Sequence, residues 1–235
     1  MIIDCHTHLL PSIDDGARDL SLSLEMLQEE ARQGVNLIIA TPHFYGDRDR
    51  MENFIQRRTH AFDKVKELLD NDPSLPKIKL GAEVAYFPGI SKAEGIEQLC
   101  IEGTNAFLLE MPFKPWDEKV INEVLSLAND RGLKVVLAHI ERYLRFPGQR
   151  EKLEILASIP VCFQVNAESL LEEGFFRKKR SLELISWFET NRVCLMGSDT
   201  HNMETRKPNL ELGRNKLSSQ ALNAIDNNAK LIFNV

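Results

Sequence analysis

The apolar positions of this chain follow two patterns: short β-branched runs, and longer stretches in which an apolar residue returns every third or fourth place. Seven runs have the length and composition of buried strands: Met1 to Cys5, Val35 to Ala40, Ile78 to Ala82, Ala106 to Leu109, Leu133 to Ala138, Val161 to Val165 and Val193 to Met196. Between them, Leu22, Met26, Leu27 and Ala31 share one helical face within Leu20 to Arg32. Ile55, Phe62, Val65 and Leu69 do the same within Phe54 to Leu69. Further helices are expected over Glu118 to Asp130, Arg150 to Ala157, Leu182 to Glu189 and Ser218 to Ala229. Gly34 and Gly132 stand where glycine commonly closes a helix. Strands alternating with helices imply parallel pairing through crossovers.

The length, 235 residues with 43% hydrophobic content, suffices for one large core, and no repeat, low-complexity tract or long linker divides the chain. One domain over residues 1–235 is expected. A formal charge of −6 offers no general attraction to nucleic acid or anionic membranes, so neither is expected as a partner. The basic run Arg177-Lys178-Lys179-Arg180 reads as a solvated face before a helix. Cys5, Cys100, Cys162 and Cys194 show no metal-binding spacing and read as reduced thiols. With no signal-like leader and no run of 18 apolar residues, a soluble cytoplasmic protein without membrane insertion is expected.

The chemistry gathers at strand ends. His6 and His8 follow the first run, His43 the second, His139 the fifth and His201 the seventh, whereas His60 lies on the solvent side of a helix. Glu83 ends the third run, Glu110 the fourth, and Asp199 follows the seventh. If parallel strands bring these ends to one face, residues scattered along the chain converge. The spacing His6-Thr7-His8 lets two imidazoles on an extended segment reach one ion, and Asp199-Thr200-His201 repeats that spacing. A lone pair of this kind is common by chance; two pairs with strand-end carboxylates are not.

These donors exceed what one ion can use, so two or three divalent ions are expected. The carboxylate share favours manganese, with iron, magnesium or zinc also compatible. Three ions against Asp14, Glu83, Glu110, Asp199 and a hydroxide leave a small positive remainder, suited to a phosphate. Arg142 and Arg206 lie beside the histidines in sequence and suit phosphate oxygens. Tyr45, two residues after His43, is placed either to line the mouth or simply to face solvent. The chain has no Cys-x5-Arg loop, no Gly-x4-Gly-Lys loop and no Gly-x-Ser-x-Gly elbow.

His-Thr-His-Leu-Leu-Pro-Ser-Ile-Asp-Asp-Gly at 6–16, Ala-Thr-Pro-His at 40–43, Gly-Ala-Glu at 81–83, Leu-Glu-Met-Pro at 109–112, Ala-His-Ile-Glu-Arg-Tyr at 138–143 and Ser-Asp-Thr-His at 198–201 span the chain. Together they resemble the PHP (polymerase and histidinol phosphatase) family, and within it the protein-tyrosine phosphatases of bacterial capsule and exopolysaccharide loci. The resemblance implies an α/β fold, a distorted (β/α)7 TIM-like barrel of the PHP type, with a three-metal site. It assigns His6, His8, Glu83 and Asp199 to one ion, Glu83, Glu110 and His139 to a second, and His43 and His201 to a third. Asp14 is taken with the third, with its neighbour Asp15 as the alternative. One departure is Ile140, where the family often has proline.

The resemblance further implies in-line attack on phosphorus by metal-activated water, without a phosphoenzyme, while Arg142 and Arg206 orient the phosphate. Its implied partner is a phosphotyrosine protein, the tyrosine-rich tail of a cytoplasmic kinase domain that controls polysaccharide export. A histidinol-phosphate or other small-molecule phosphatase shares the scaffold and is the nearest alternative. Amidohydrolases often need a lysine where this chain has Glu110. A nuclease would want an aromatic and basic stripe, which is missing. A non-catalytic metal-binding module would not need the full donor set.

Overall fold

The computed structural model describes residues 1–172 and 174–235. Its order is β1 (Ile2–Thr7), α1 (Leu20–Arg32), β2 (Val35–Ala40), β3 (His43–Tyr45), α2 (Met51–Asn71), β4 (Lys77–Leu80) and β5 (Glu83–Ala85). There follow β6 (Ala106–Glu110), α3 (Glu118–Asn129), β7 (Lys134–Leu137), α4 (Gln149–Ala157), β8 (Cys162–Asn166), α5 (Phe175–Glu189), β9 (Leu195–Gly197), α6 (Leu210–Arg214) and α7 (Ser219–Phe233). Asp19, Asp117 and Ser218 cap α1, α3 and α7 by accepting the N–H of Leu22, Val120 and Ala221, groups that a helix start leaves without a partner.

All strand pairs are parallel, in one sheet of order β1-β2-β4 and another of order β3-β5-β6-β7-β8-β9. The two sheets are joined along the chain. Past β2 the segment Thr41-Pro42 interrupts the ladder before β3 resumes, and past β4 Gly81-Ala82 does so before β5. Proline has no N–H to give to a ladder. Backbone bonds from Gly81 N to the Ala40 carbonyl (2.8 Å) and from Glu83 N to the Pro42 carbonyl (3.1 Å) hold the interrupted strands side by side. At the other margin, Asp199 N donates to the His6 carbonyl (2.8 Å) and His8 N to the Thr200 carbonyl (2.9 Å), joining β1 to the segment after β9.

The side chains sort into two apolar clusters. The larger one packs the helices against the sheets, and includes Ile38, Phe107, Leu109, Val135, Leu137, Phe163 and Val165. In the smaller, the intervening residues Ile3, Cys5, Leu37, Ile39, Leu108, Val136 and Leu195 meet one another and Ile232 and Phe233 of α7. Period-two alternation thus assigns one face of each strand to the helices and the other to its fellow strands. All four cysteines are free.

Several expectations change. The second and third strands each continue as a short further strand, β3 and β5. The β5–β6 crossover contains 3-10 turns at Ile90–Lys92 and Ile96–Leu99 and no α-helix, because Pro88 and left-handed Gly89 and Gly95 punctuate it. Helix α5 starts seven residues before its expected Leu182 (175 against 182), so the basic run lies inside the helix instead of ahead of it. Within that run, the Arg177 side chain lies outside what is described, Lys178 and Lys179 are exposed, and Arg180 pairs with Glu172. His60 is exposed on α2, as its helical position requires. Among the described residues no helix is long and apolar enough to cross a membrane.

Candidate metal centre

The strand order brings the sequence-predicted donors to the C-terminal ends of the strands. His6 is the last residue but one of β1 and His8 lies just past it; His43 opens β3, Glu83 opens β5, Glu110 ends β6, and His139 lies two residues beyond β7. Asp199 and His201 follow β9. The register of β1 on β2 shifts between Asp4 and Thr7. Such a bulge re-aims a side chain. Asp4 faces Glu30 of α1, whereas His6 faces Gln164 of β8.

Three donor groups result: His6, His8, Glu83 and Asp199; His8, Asp15, His43 and His201; and His43, Glu83 and Glu110. Glu83 belongs to the first and the third of these groups and adjoins His8 of the second. Its Oε2 lies 3.1 Å from His6 Nε2, 3.2 Å from His8 Nε2 and 3.1 Å from His43 Nδ1, while its Oε1 lies 2.7 Å from His139 Nε2. His139 Nε2 is also 3.5 Å from Glu110 Oε1. Asp199 Oδ1 stands 3.6, 3.5 and 3.6 Å from nitrogens of His6, His8 and His201.

This packing fits cations and does not suit protons alone. His6 Nδ1 faces Gln164 Oε1 at 3.2 Å and His8 Nδ1 faces Asp14 Oδ2 at 2.8 Å, so in the tautomers these acceptors select, both Nε2 atoms carry lone pairs. Those Nε2 atoms are only 3.1 Å apart. Two lone pairs at that distance repel; a cation between donors removes the conflict. The buried atoms His43 Nδ1, Glu83 Oε2, Asp199 Oδ1 and His201 Nε2 have no hydrogen-bond partner, although buried polar atoms nearly always have one.

Electrostatics agree. With no cation bound, burial alone would lower His8, but the Asp14 and Glu83 carboxylates outweigh it and hold the imidazole up at about 10, so a proton on Nε2 takes the place that a cation would fill. Burial would raise Glu83, yet His6, His139 and His8 hold it well below the usual carboxylate range. Burial lowers His43 to about 4. Burial and the neighbouring Glu83 charge push Glu110 up to about 8. The cluster is short of positive charge, which divalent ions supply.

The adjacent acids Asp14 and Asp15 have different surroundings. Asp14 accepts from His8 Nδ1, from Gly16 N (2.9 Å) and from His43 N (2.9 Å), which makes it a brace for two histidines. Asp15 Oδ1 instead lies 3.5 Å from His43 Nε2 and 3.4 Å from His201 Nε2. Glycine at 16 is required here, because a Cβ would sit 2.0 Å from the His8 carbonyl oxygen.

Arg142 and Arg206 converge on Asp199 Oδ2, Arg206 at 2.7 Å, with both side chains one-third exposed. Arg142 rides on a 3-10 turn, Ile140–Arg145, whose Ile140 is buried in the core. Tyr143 of the same turn donates to the Met111 carbonyl (2.9 Å) and packs on Trp116. His139 and Asp199 both have left-handed backbones, at φ 32 and 54, which is uncommon for residues with a side chain. His139 N is held by Gln164 Oε1 (2.8 Å) and Asp199 N by the His6 carbonyl, so the surroundings hold both conformations.

Sequence reading missed the polar side of β8. Gln164 touches His6 and His139, and donates to Asn166 Oδ1 (2.8 Å); Asn166 donates to Asp199 Oδ2 (2.8 Å), and its backbone N–H to Glu141 (3.2 Å). The available signal was two amides at alternate positions of an apolar run. Also missed was a second buried acidic pair, Asp4 with Glu30. Asp4 Oδ1 accepts from Ser198 N (3.0 Å) and His6 N (3.2 Å), but Asp4 Oδ2 and both Glu30 oxygens find no donor.

Fold and site together define the class: a parallel α/β protein whose strand ends gather histidines and carboxylates around places for several cations. More particularly, the chain belongs to the family described as "Capsular polysaccharide synthesis, CpsB/CapC", which matches residues 2–232. It is 30% identical over 223 residues to the tyrosine-protein phosphatase CpsB of Streptococcus agalactiae, covering 88% of this chain and 86% of that protein. It is similar to a solved structure from a study of YwqE of Bacillus subtilis and CpsB of Streptococcus pneumoniae, described as unique metal-dependent tyrosine phosphatases. That match has TM-score 0.83 and 26% identity, and covers 99% of this chain and 94% of the other. A histidinol phosphate phosphatase of Lactococcus lactis shares the fold at TM-score 0.57 and 15% identity, over 97% and 93% of the two chains.

Proposed function

We propose that this chain is a metal-dependent phosphomonoesterase that removes phosphate from protein phosphotyrosine in capsule or exopolysaccharide synthesis. The observation that carries this reading is the convergence of Arg142 and Arg206 on Asp199 Oδ2 at the edge of the histidine cluster. Two guanidinium groups beside cation donors form a receptor for a tetrahedral dianion. Family membership adds the substrate class, since the relatives are named tyrosine-protein phosphatases.

In this reading residues 1–235 form one domain, and the joined margins of the two sheets close them into a distorted (β/α)7 barrel of the PHP type. His6, His8, Glu83 and Asp199 hold one ion, Glu83, Glu110 and His139 a second, and His43 and His201 a third, completed by Asp15 while Asp14 braces His8. Manganese is favoured, with iron, magnesium or zinc as alternatives. When bound, such ions lower the pKa of water and neutralise phosphoryl charge. The chain's own contribution is placement. Arg142 and Arg206 turn from Asp199 to the phosphoryl oxygens and align the ester, and Gln164 and Asp14 keep His6 and His8 in the tautomers that ligation requires. A tyrosine leaving group, with a pKa near 10, departs with little need of an acid. The partner is then a phosphotyrosine protein, the tail of a cytoplasmic tyrosine kinase domain, encountered in the cytoplasm.

The test is steady-state hydrolysis, with manganese, of a phosphotyrosine peptide, histidinol phosphate and a single-stranded oligonucleotide. The peptide is expected to have the highest kcat/KM. Preference for histidinol phosphate would overturn the assignment, and inertness toward all three would leave a binding module.

A further inference from the structure

Two aromatic side chains stand apart from the core. Every other Phe, Tyr and Trp whose side chain is described packs in or against the two apolar clusters; Tyr45 and Phe113 do not. Phe113 is 45% exposed, the one fully exposed aromatic among them, and Tyr45 is half-buried. A single exposed phenyl ring is ordinary on a protein surface, and what sets Phe113 and Tyr45 apart is where they stand.

Both rings adjoin the metal donors. Tyr45 stacks on His43 with centroids 5.3 Å apart, and Phe113 lies nearly parallel to His139 at 6.1 Å. Arg48 lies over Tyr45 at 5.1 Å and Arg145 over Phe113 at 5.7 Å, both arginines being exposed. Phe113 is further fixed by Tyr143 at 5.5 Å, and Tyr143 is itself anchored by its hydroxyl to Met111. Beside Tyr45 a cavity of about 530 Å³ opens between Ile13, Asp15, His43, Arg48 and Arg57.

Strand register sets the spacing of the chain segments that carry the rings. Tyr45 pairs with Ala85, which pairs with Glu110, and Phe113 follows Glu110 by three residues. Two strand spacings amount to about 9.5 Å. Aromatic pairs favour centroid distances of about 4.5–7 Å, so a ring held between two others needs flanking rings roughly 9–14 Å apart. An aryl group entering there displaces flexible arginine side chains and disturbs no core.

We propose that Tyr45 and Phe113 form the subsite for the aryl ring of the substrate ester, gripping it while Arg142 and Arg206 take the phosphate. This rests on the phosphotyrosine reading and adds to it the residues that select aryl over alkyl esters. A hydroxyl is not needed for such a grip, so the ring is the functional part.

The experiment uses manganese-loaded protein and three competitive ligands: phenylphosphonate, methylphosphonate and inorganic phosphate. In Tyr45→Ala and in Phe113→Ala the Ki of phenylphosphonate is expected to rise about tenfold, in line with one lost aromatic contact, while the other two Ki values stay within about twofold. Tyr45→Phe restores phenylphosphonate binding, which separates the ring from the hydroxyl. An unchanged phenylphosphonate Ki in the double alanine variant overturns the proposal. So does equal weakening of all three ligands, which would mean damage to the phosphate site. The parent reading fails separately, if the unmodified protein does not turn over a phosphotyrosine peptide.

Discussion

This protein buries two sets of carboxylates, one gathered around His6 and His8 and the other formed by Asp4 of β1 and Glu30 of α1, and their central members behave in opposite ways. At the histidine cluster the imidazoles outweigh burial and hold Glu83 and Asp199 below the ordinary carboxylate range, while Glu110, beside the Glu83 charge, rises to about 8. Behind β1, Asp4 and Glu30 are equally buried, face each other with no basic partner, and are both pushed upward, first by burial itself. Burial is common to both. Neighbours alone decide whether a buried acid keeps its charge, and only a charged cluster can hold divalent ions.

The comparison breaks most visibly at its centre. Glu83→Gln takes the shared anion from all the imidazoles at once. Removing one partner from a buried charged set costs about 3–5 kcal/mol, so manganese affinity is expected to fall on the order of 10² to 10⁴-fold. Calorimetric titration measures this, and near-normal affinity would mean that Glu83 is not the hub. A smaller effect is expected from Gln164→Leu, which leaves every proposed ligand in place but frees the His6 tautomer. Outer partners of metal-bound histidines are worth about 10 to 100-fold in affinity. Gln164→Glu should retain binding, since a carboxylate also accepts from His6 Nδ1; equal loss in both variants would argue for a packing role.

The smallest effect lies in the other acidic set and has the opposite sign. A carboxyl raised above its unfolded value of about 4.3 stays protonated in the native state while the unfolded chain has already lost its proton. Native stability therefore drops as pH climbs from about 4 toward the raised value, and Glu30→Gln removes that drop. A neutral amide there avoids an ionisation penalty on the order of 1 kcal/mol. The thermal midpoint of Glu30→Gln is expected above that of the unmodified protein at pH 8, with the gap closing near pH 4. A lower midpoint at pH 8 would show that Glu30 holds a stabilising contact.

Much of the candidate cluster was legible because candidate metal donors are polar types in places where the pattern demands apolar ones. His6, His43, His139 and Glu110 announce themselves by interrupting or ending strands. The choice between Asp14 and Asp15 was not legible, since it depends on Gly16 pressing the loop against the His8 carbonyl, a close approach no spacing encodes. Gln164 and Asn166 were hidden because amides within an apolar strand lack a distinctive chemistry until their partners are in place. Among the elements, β3 and β5 are three residues each, too short for periodicity to register, and α6 is only five. The start of α5 was misplaced because lysine and arginine signal solvent as readily as helix, although both favour helix.

The breaks at Thr41-Pro42 and Gly81-Ala82 have a consequence for how this scaffold can change. The first lengths of the divided strands, β2 and β4, carry none of the proposed metal donors; the second lengths, β3 and β5, carry His43 and Glu83, and β3 carries Tyr45 as well. Folding information and recognition thus occupy different lengths of the same polypeptide. With Phe44 and Trp116 kept as core, diversification confined to residues 45–48 and 113–115 would reshape the mouth with the founding sheet unchanged, so new specificities on this frame are reachable in few mutational steps.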